Sequence, residues 1–361
     1  MSKKAIIAMS GGVDSSVAAH LIKEQGYECI GATMKLFSND DINVNREKSC
    51  CSLSDVEDAR SVCLRLDIPY YVFNFSDKFN ECVINKFVSA YMSGATPNPC
   101  IECNRSLKFD KMFLRMNELG FDHVVTGHYV IVEKDGKTGR YLLKKAKDIS
   151  KDQSYVLYML TQDQLKHALF PLGTLLKSEA RKIAEENGFI NAAKRDSQDI
   201  CFVPDGNYSD FIEKYTGKKP KTGNFVSKDG HIFGTHKGIS HYTIGQRKGL
   251  GISYSSPLYV TDIRTDSNEV VLGEESDLYT DSLIADNVNL ISVDSIDKPM
   301  RIKAKVRYRQ TEQPATVTGL SDGKIYIKFD EPQRAITKGQ AVVMYNGDIV
   351  VGGGTICKVG V

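Results

Sequence analysis

The first thirty residues contain the feature that most constrains the fold. Residues 5–9, Ala-Ile-Ile-Ala-Met, form a short apolar run that is typical of a buried strand. Residues 10–16, Ser-Gly-Gly-Val-Asp-Ser-Ser, are mostly small and polar, and apolar residues then recur at the spacing of one helical face: Val17, Ala18, Leu21 and Ile22. The pattern predicts a strand, a glycine turn and a helix. Such a turn directs backbone N–H groups and the positive end of a helix dipole at one point, which favours a phosphate ligand.

The residues of this turn indicate which class of phosphate-binding loop it belongs to. Gly11 and Gly12 let a ligand approach the backbone, and Ser10, Ser15 and Ser16 add hydroxyl donors. The turn matches neither GxxxxGK[ST] nor GxGxxG. It contains an acid, Asp14, and a carboxylate beside phosphate needs a cation between them, which indicates Mg²⁺. SGGVDSS resembles the pyrophosphatase loop of the ATP-pyrophosphatase families. The alternative is an ordinary helix that is capped by Ser10 or Asp14.

Composition sets broad limits on the function. The 361 residues are 41% hydrophobic and 25% charged, which is enough for two or three globular domains. A formal net charge of +2 excludes a polycation, so any nucleic-acid surface must be local. We expect no transmembrane segment and no signal peptide. The nine cysteines are therefore expected to be reduced, in the cytoplasm.

The chain alternates between strand and helix patterns up to about residue 130. Further strands are predicted at residues 28–34, 70–75 and 122–129. Helices are predicted at residues 54–66, with a capping box at Ser54–Glu57, and at residues 78–91, and a loop is expected at residues 38–48. This alternation predicts an α/β fold with a doubly wound parallel sheet. Ligands of such sheets bind at the carboxyl ends of strands, where residues 10–16, Met34 and Gly127 fall.

The pattern changes after about Pro204, where glycines and short motifs dominate. From about Asp281, short alternating strands and a hairpin signal at Asn346–Gly347 predict a small β-barrel. We predict three domains: a nucleotide-binding catalytic domain of the ATP-pyrophosphatase type at residues 1–205, a small central domain at residues 206–280 and a C-terminal β-barrel at residues 281–361.

One stretch of the predicted barrel alternates between apolar and basic residues. One face holds Ile302, Ala304, Val306 and Tyr308, and the other holds Arg301, Lys303, Lys305, Arg307 and Arg309. Five cations on one face without an acid favour a phosphate-rich partner over an ordinary solvated surface.

Cysteines mark two further stretches. Residues 96–105, Thr-Pro-Asn-Pro-Cys-Ile-Glu-Cys-Asn-Arg, carry Cys100 and Cys103 at CxxC spacing, and the prolines predict a stiff, extended segment. CxxC alone fits a zinc knuckle, a thioredoxin-like site or a reactive thiol beside a nucleotide, and the adjacent Cys50 and Cys51 make a poor second pair for zinc. Cys201 follows the polar residues 196–199. By itself it fits a half-buried structural cysteine, but together with the other motifs it favours function.

Two histidines flank the end of the predicted strand at residues 122–129. His123 lies among apolar residues and is expected in the core. His128 follows Gly127, so it either reaches the nucleotide or substrate or is also buried.

Taken in order, these motifs resemble the tRNA-specific 2-thiouridylases, the MnmA family. The resemblance covers nearly the full length and rests on SGGVDSS, Thr33-Met-Lys35, TPNP..C, TGHY, KDQSY, the cysteine at 201, TIGQRKGLGI, RYRQ and the glycines at 352–354. It implies a nucleotide-binding α/β domain, a small central domain and a C-terminal barrel that binds tRNA. It also implies ATP-dependent 2-thiolation of the wobble uridine of glutamate, glutamine and lysine tRNAs. The implied partners are tRNA and a sulfur donor such as a cysteine desulfurase or a sulfur relay protein, with no membrane.

The resemblance also implies roles for individual residues. ATP adenylates the uracil C2 oxygen, a persulfide on Cys201 attacks C2, and Cys103 releases the sulfur through a transient disulfide with Cys201. The residues that match the ATP site are Ala8, Met9, Ser10, Gly11, Gly12, Val13, Asp14, Ser15, Met34 and Gly127. Those that match contacts with the target base and the tRNA are Asn98, Pro99, Cys100, His128, Lys151, Asp152, Gln153, Tyr308, Arg309 and Gln340. The target base would be flipped out of its stack.

Cys100 departs from the family pattern, since many relatives carry an aspartate there. If Cys100, Cys103 and Cys201 converge, thiol exchange in which Cys100 resolves the Cys103–Cys201 disulfide is the preferred interpretation. A [4Fe–4S] cluster on the three thiolates is second, and structural zinc is last.

Two rival functions stay open. A small-molecule ligase of the ATP-pyrophosphatase type would need neither Cys103 nor Cys201. A non-catalytic RNA-binding protein would use the basic barrel, although the intact SGGVDSS loop argues against it.

Overall fold

A computed structural model of the protein describes residues 2–37, 53–195, 200–203 and 206–361. The loop predicted at residues 38–48, Cys50, Cys51 and residues 196–199 lie outside the described residues. The strands are β1 Lys4–Ala8, β2 Glu28–Lys35, β3 Tyr70–Asn74, β4 His123–Val125, β5 Val130–Lys134, β6 Tyr141–Lys145, β7 Ala168–Leu169, β8 Gly223–Val226, β9 Ile232–His236, β10 Tyr259–Arg264, β11 Glu269–Gly273, β12 Tyr279–Leu290, β13 Met300–Lys305, β14 Gln313–Gly319, β15 Ile325–Arg334, β16 Ala341–Asn346 and β17 Ile349–Val359.

The α-helices are α1 Val13–Glu24, α2 Leu53–Arg65, α3 Ser76–Phe79, α4 Asn85–Met92, α5 Pro99–Cys103, α6 Asp110–Glu118, α7 Gln162–His167, α8 Lys177–Glu186 and α9 Tyr208–Thr216. Short π-helical segments are Asn80–Ile84 and Asn104–Phe109, and short 3₁₀ segments are Ile149–Lys151, Ser154–Val156, Ile239–His241 and Glu275–Leu278. No helix in the described part of the chain is long and apolar enough to cross a membrane.

The chain divides into two compact units, the first of residues 1–84, 99–206 and 348–351 and the second of the remaining residues. The first unit contains a five-stranded parallel sheet in the order β3-β2-β1-β4-β7. Ile6 of the central strand is in register with Ile30 on one side and Val124 on the other. The predicted doubly wound parallel sheet is therefore confirmed, and β1 lies where the strand order reverses.

The core of this unit explains why β1 is apolar throughout. Ile6 and Ile7 are completely buried, and Ala5, Ile7 and Met9 pack in one cluster with residues of α1, α2 and α8. A parallel strand that is covered on both faces gives the continuous apolar run seen in the sequence.

Three local predictions differ from the structure. The helix predicted at residues 78–91 is divided into α3, a π-helical segment and α4. The strand predicted at residues 122–129 ends at Val125. Ser54 lies inside α2, which already includes Leu53, so Ser54 is not the N-cap of a capping box.

The second unit contains two β structures. Strands β10-β11-β8-β9 form a small sheet around Phe225, Val260 and Val270, with β11 and β8 parallel. Strands β12-β15-β14-β13-β16-β17 form a closed barrel, because β17 from Gly352 onward pairs back onto β12. The predicted C-terminal barrel is confirmed, and Gly347 has the positive φ, +63°, that the predicted turn requires.

The predicted five-cation face of the barrel is wrong. Strand β13 ends at Lys305, which is buried, so Arg307 and Arg309 follow the strand instead of continuing its alternation. Arg301 is bound by Asp330 through two hydrogen bonds of 2.8 and 2.6 Å. Only the first part of the pattern, with Ile302 and Ala304 buried and Arg301 and Lys303 exposed, has strand periodicity.

Candidate active site

The turn between β1 and α1 leaves the amino terminus of the helix open. Gly11 has φ +74°, and a methyl group there would lie 2.3 Å from the carbonyl oxygen of Asp55, so the position requires glycine. Gly12 is the N-cap, and as a glycine it has no side chain that could cap the helix. The alternative prediction of a helix capped by Ser10 or Asp14 is therefore wrong. The open N–H groups keep their capacity to bind an anion.

The three serines of the turn differ in burial and in their hydrogen bonds. Ser15 and Ser16 are buried, and their hydroxyls donate to the Gly12 carbonyl at 2.9 and 3.1 Å. Ser15 Oγ also accepts from Ser10 N at 3.2 Å. Ser15 and Ser16 thus stabilise the turn, whereas Ser10 is exposed.

Asp14 has partners that its sequence neighbours do not indicate. Lys177 Nζ donates to both carboxylate oxygens of Asp14 at 2.7 and 2.8 Å, and Tyr129 Oη donates to one of them at 2.8 Å. Lys177 begins α8, and its backbone N–H donates to Asp148. Lys177 therefore supplies a positive charge beside the acid of the loop, which the sequence argument assigned to Mg²⁺ alone.

The acid still fits a role as one ligand of Mg²⁺. The side chain of Asp14 is 31% exposed, so its oxygens are not enclosed by Lys177 and Tyr129. Among the described residues, no group of three or more His, Cys, Asp or Glu side chains could hold a metal ion. Mg²⁺ commonly uses one or two carboxylates together with the phosphates of its substrate, so Asp14 fits an ion that arrives with a nucleotide.

Three adjacent strands bring the other predicted nucleotide residues to the same edge of the sheet. Ala8, Met34 and Gly127 lie at or just beyond the carboxyl ends of β1, β2 and β4. A methyl group on Gly127 would lie 2.7 Å from the carbonyl carbon of Asp14, so this glycine allows direct backbone contact with the loop. Met34 is half-buried at the end of β2.

His128 is buried between aromatic rings. Its Nδ1 lies 2.7 Å from Thr126 Oγ1, and its ring is 6.3 Å from those of both Phe109 and Phe170. Burial, followed by the charge of Lys108, holds the pKa of His128 well below its usual value. His128 is therefore a neutral group. His123, expected in the core, is half-buried against Tyr27 and His167.

The CxxC segment is helical rather than extended. Pro99 begins the short helix α5, which ends at Cys103, because proline is tolerated in the first turn of a helix. Cys100 is exposed, Cys103 is buried and Cys201 is half-buried. Among the described residues, Cys100, Cys103 and Cys201 are not part of any group of three or more His, Cys, Asp or Glu side chains that could hold a metal ion, so the structure gives no support to the [4Fe–4S] interpretation.

Of the residues predicted to contact tRNA, several have partners within the protein. Asp152 is buried and accepts from Ser154 Oγ at 2.7 Å, and Gln153 Oε1 accepts from Tyr129 N at 2.9 Å. In the second unit, Gln340 Nε2 donates to the Thr96 carbonyl at 2.7 Å. The remaining ones differ in exposure: Lys151, Asn98 and Gln340 are half-buried, Pro99 is buried, and Tyr308 and Arg309 are exposed.

Comparisons with known proteins agree along the whole chain. Family models match residues 3–205 (tRNA methyl transferase HUP domain), 209–274 (tRNA methyl transferase PRC-barrel domain) and 280–356 (aminomethyltransferase beta-barrel domain). A tRNA-specific 2-thiouridylase MnmA from Clostridioides difficile is 53% identical over 358 residues, 99% of each chain. The MnmA 2 protein of Caldanaerobacter subterraneus subsp. tengcongensis is 54% identical over 356 residues, 98% of each chain. The chain belongs to the MnmA family of tRNA-specific 2-thiouridylases. A solved 4-thiouridine synthetase–RNA complex with bound ATP is 19% identical, with a TM-score of 0.39 over 56% of this chain and 45% of that chain, and adds no argument.

In this member of the MnmA family, three residues that the sequence did not single out contact the candidate nucleotide loop. Lys177 binds Asp14, and Asn191 and Lys194 both donate to the Gly11 carbonyl. All three are more than 150 positions from the loop, and no motif marks them. The one local signal is Lys177 at the start of a helical pattern, where a cation is unfavourable beside the helix dipole.

Proposed function

We propose that this protein is an ATP-dependent tRNA sulfurtransferase that thiolates C2 of the wobble uridine in glutamate, glutamine and lysine tRNAs. Family membership at 53% identity over 99% of the chain supports the reaction class. The observation that carries the proposal is the uncapped amino terminus of α1 behind Gly11 and Gly12, at the carboxyl edge of a parallel sheet. That arrangement favours the phosphates of ATP.

The first step activates the base. The uracil C2 oxygen attacks the α-phosphorus of ATP, the bond to the bridging oxygen breaks, and pyrophosphate leaves. The N–H groups of the turn and the dipole of α1 stabilise negative charge on the phosphates. Lys177 adds a fixed positive charge beside Asp14. Mg²⁺, held by Asp14 and the phosphates, would further neutralise the charge that develops on the leaving group.

The second step transfers sulfur. The terminal sulfur of a Cys201 persulfide attacks C2, and AMP leaves with the former C2 oxygen. The Cys103 thiolate then attacks the sulfur of Cys201, which leaves the transferred sulfur on C2 and forms a Cys103–Cys201 disulfide. A thiol reductant restores the two cysteines, and a cysteine desulfurase or sulfur relay protein reloads Cys201. This cycle requires a reducing compartment such as the cytoplasm.

Cys100 supplies the resolving thiol in this proposal. It lies one helical turn from Cys103 on α5, and it is exposed whereas Cys103 is buried. Attack of the Cys100 thiolate on the Cys103–Cys201 disulfide releases Cys201 and moves the disulfide to Cys100–Cys103, where an external reductant has access.

The proposed RNA contacts follow the family match. The target base is assigned to Asn98, Pro99 and Cys100, with His128 as a neutral group. The remaining tRNA contacts are assigned to Lys151, Asp152, Gln153, Tyr308, Arg309 and Gln340, with the barrel as the tRNA-binding domain.

Two measurements test the proposal. The first compares pyrophosphate release from ATP with and without bulk tRNA. We expect release that depends on tRNA, whereas a small-molecule ligase predicts no tRNA dependence and a non-catalytic RNA-binding protein predicts no release. The second measures 2-thiouridine and adenylated tRNA in the C103S and C201S variants. Both should adenylate without thiolating, and a thiolation-competent C201S variant would overturn the persulfide assignment.

A further inference from the structure

The carbonyl of Gly11, in the middle of the nucleotide loop, is held by two side chains from one distant segment. Asn191 Nδ2 donates to Gly11 O at 3.0 Å, and Lys194 Nζ donates to the same oxygen at 3.2 Å. Asn191 is 2% exposed. A charged and a neutral donor therefore meet at one carbonyl that lies outside any helix or strand.

The orientation of this carbonyl sets the orientation of the next N–H group. In a trans peptide the C=O of one residue and the N–H of the following residue point in opposite directions, and the described chain has no cis peptide bond. With the Gly11 oxygen held by Asn191 and Lys194, the Gly12 N–H points to the other side, where Ser10 Oγ lies 3.4 Å away. That is the side of the exposed Ser10 and the open end of α1.

Within the loop, this orientation is supported by the long hydrogen bond, 3.4 Å, that the Gly12 N–H donates to Ser10 Oγ. Glycine adopts positive and negative φ with similar ease, so the peptide between Gly11 and Gly12 can rotate at little cost. The rotated peptide would direct a carbonyl, rather than an N–H, at the phosphate site, and would repel the ligand. The two donors to the Gly11 oxygen, at 3.0 and 3.2 Å, therefore add to this long bond in keeping the Gly12 N–H in place.

The amide of Asn191 has its direction imposed by its surroundings. Its Nδ2 also donates to Ser16 Oγ at 2.9 Å, and Ser16 Oγ donates to the Gly12 carbonyl at 3.1 Å. Turning the amide over would bring Oδ1 against the Gly11 oxygen. Asn191 Oδ1 is buried and has no hydrogen-bond partner in the described part of the chain, which carries an energetic cost. Despite this cost, Asn191 orients two successive carbonyls of the loop: that of Gly11 directly and that of Gly12 through Ser16 Oγ.

Lys194 is held on its other side by α2. Its Nζ donates to Asp55 Oδ1 at 2.6 Å and to Asp58 Oδ2 at 2.7 Å. Burial lowers the pKa of Lys194, but the hydrogen bonds with Asp55 and Asp58 outweigh it, and the pKa is raised. Lys194 is therefore a charged donor toward Gly11 across the working pH range.

We propose that Asn191 and Lys194 are positioning residues that hold the Gly11–Gly12 peptide with its N–H directed at the nucleotide phosphates. The inference rests on the proposed ATP site. It assigns no contact between these residues and the nucleotide: both act through the backbone of the loop. A purely structural role, in which Lys194 only ties α2 to the segment of residues 191–194, predicts a loss of stability without a selective loss of phosphate binding.

The experiment measures the dissociation constants of ATP and of adenosine by calorimetry for the whole protein and for the K194M, K194R, N191A and D58N variants, together with thermal midpoints. We expect K194M and N191A to raise the dissociation constant of ATP about tenfold or more. The dissociation constant of adenosine should stay nearly unchanged, because the Gly11–Gly12 peptide acts on the phosphates. K194R keeps the charge and the donors, and should recover much of the ATP affinity. D58N weakens the hold on Lys194 without touching Gly11. It should lower the midpoint and change ATP affinity less than K194M.

The outcomes separate the inference from the function on which it rests. A wild-type protein that binds no ATP contradicts the proposed function. A wild-type protein that binds ATP, with K194M and N191A that fold and bind it equally well, overturns only the inference. Equal losses of ATP and adenosine affinity that follow the midpoints in all variants would also overturn it. If K194M does not fold, the ATP and adenosine affinities of N191A and K194R can still be compared with those of the wild type.

Discussion

Lys177 Nζ and the carboxylate of Asp14 form a two-oxygen ion pair, at 2.7 and 2.8 Å, between residues 163 positions apart. The lysine side chain is 10% exposed and that of the aspartate 31%. The pair lies at the amino terminus of α1, where backbone N–H groups already favour an anion. The loop therefore presents a positive charge next to its acid before any metal ion arrives, and this reduces the repulsion between Asp14 and phosphate.

The first prediction concerns this pair. D14N should reduce tRNA-dependent pyrophosphate release at least a hundredfold, because it removes both the ligand for Mg²⁺ and the partner of Lys177. Binding of tRNA should change less than threefold. K177M should weaken the binding of ATP and raise the Mg²⁺ concentration that gives the half-maximal rate. Without the charge of Lys177, the Asp14 carboxylate would repel the phosphates more strongly. Rates measured across a Mg²⁺ titration check both variants. Normal adenylation by D14N would show that the loop assignment is wrong.

The second prediction tests packing behind the loop. Gly31 of β2 faces Cys63 of α2, and a methyl group on Gly31 would lie 2.4 Å from Cys63 Sγ and 3.2 Å from Met9 Cγ. Since Cys63 is completely buried, G31A should destabilise the protein by about 1–3 kcal/mol.

The control for this packing prediction is a double-mutant cycle. C63A alone should cost stability because it leaves a small cavity, but in the G31A background the same change should restore stability. Denaturant unfolding of the four proteins gives the coupling free energy. Additive effects would mean that the two residues do not meet.

Much of this site was predictable because its signals are local. The strand, the glycine turn and the helix at residues 5–26 are contiguous, so apolar periodicity and two glycines were enough to predict these three elements. The residues that complete the site were not predictable. Lys177, Asn191 and Lys194 reach the loop only after the chain has folded over more than 150 residues. Apart from the unfavourable position of Lys177 at the start of α8, no local sequence pattern marks these contacts.

Two predictions made from local residue patterns, at residues 97–99 and at residues 301–309, were wrong for physical reasons. Proline in residues 97–99 favoured an extended segment, but Pro99 occupies the first turn of α5, where its missing N–H costs nothing. The alternation at residues 301–309 continues in the sequence after the strand has ended, because a turn can carry any polar pattern. Arg307 therefore donates to the Ala335 carbonyl instead of joining a cationic face.

The third prediction follows from that correction and rests on the proposed tRNA binding. R309Q should lower the slope of log affinity against log salt by roughly one unit, because one phosphate contact is lost. R301Q is the matched control: Arg301 is already bound by Asp330, so the slope should change much less. Filter binding of tRNA between low and moderate salt measures both. Equal slopes for wild type and R309Q would mean that Arg309 makes no phosphate contact.

The last prediction concerns pH and His128. Burial first, and then the charge of Lys108, lowers the folded-state pKa of His128 well below the unfolded value of about 6.5. Between these two pKa values the unfolded chain binds one more proton at this position than the folded chain does. Stability therefore rises with pH: the contribution is complete above about pH 6.5 and is lost as the pH falls below it, by about 1.4 kcal/mol per pH unit from this group.

A histidine-to-asparagine comparison isolates this contribution. H128N keeps a polar atom near Thr126 Oγ1 but cannot titrate, so its thermal midpoint should be lower than that of the wild type at pH 7.5 and should fall less between pH 6.5 and 5. H231N, at an exposed position, is the control and should follow the wild-type profile. His123, His236 and His241 also have lowered pKa values through burial, so a residual slope in H128N is expected. Parallel profiles for H128N and wild type would mean that His128 takes up a proton as easily in the folded protein as in the unfolded chain.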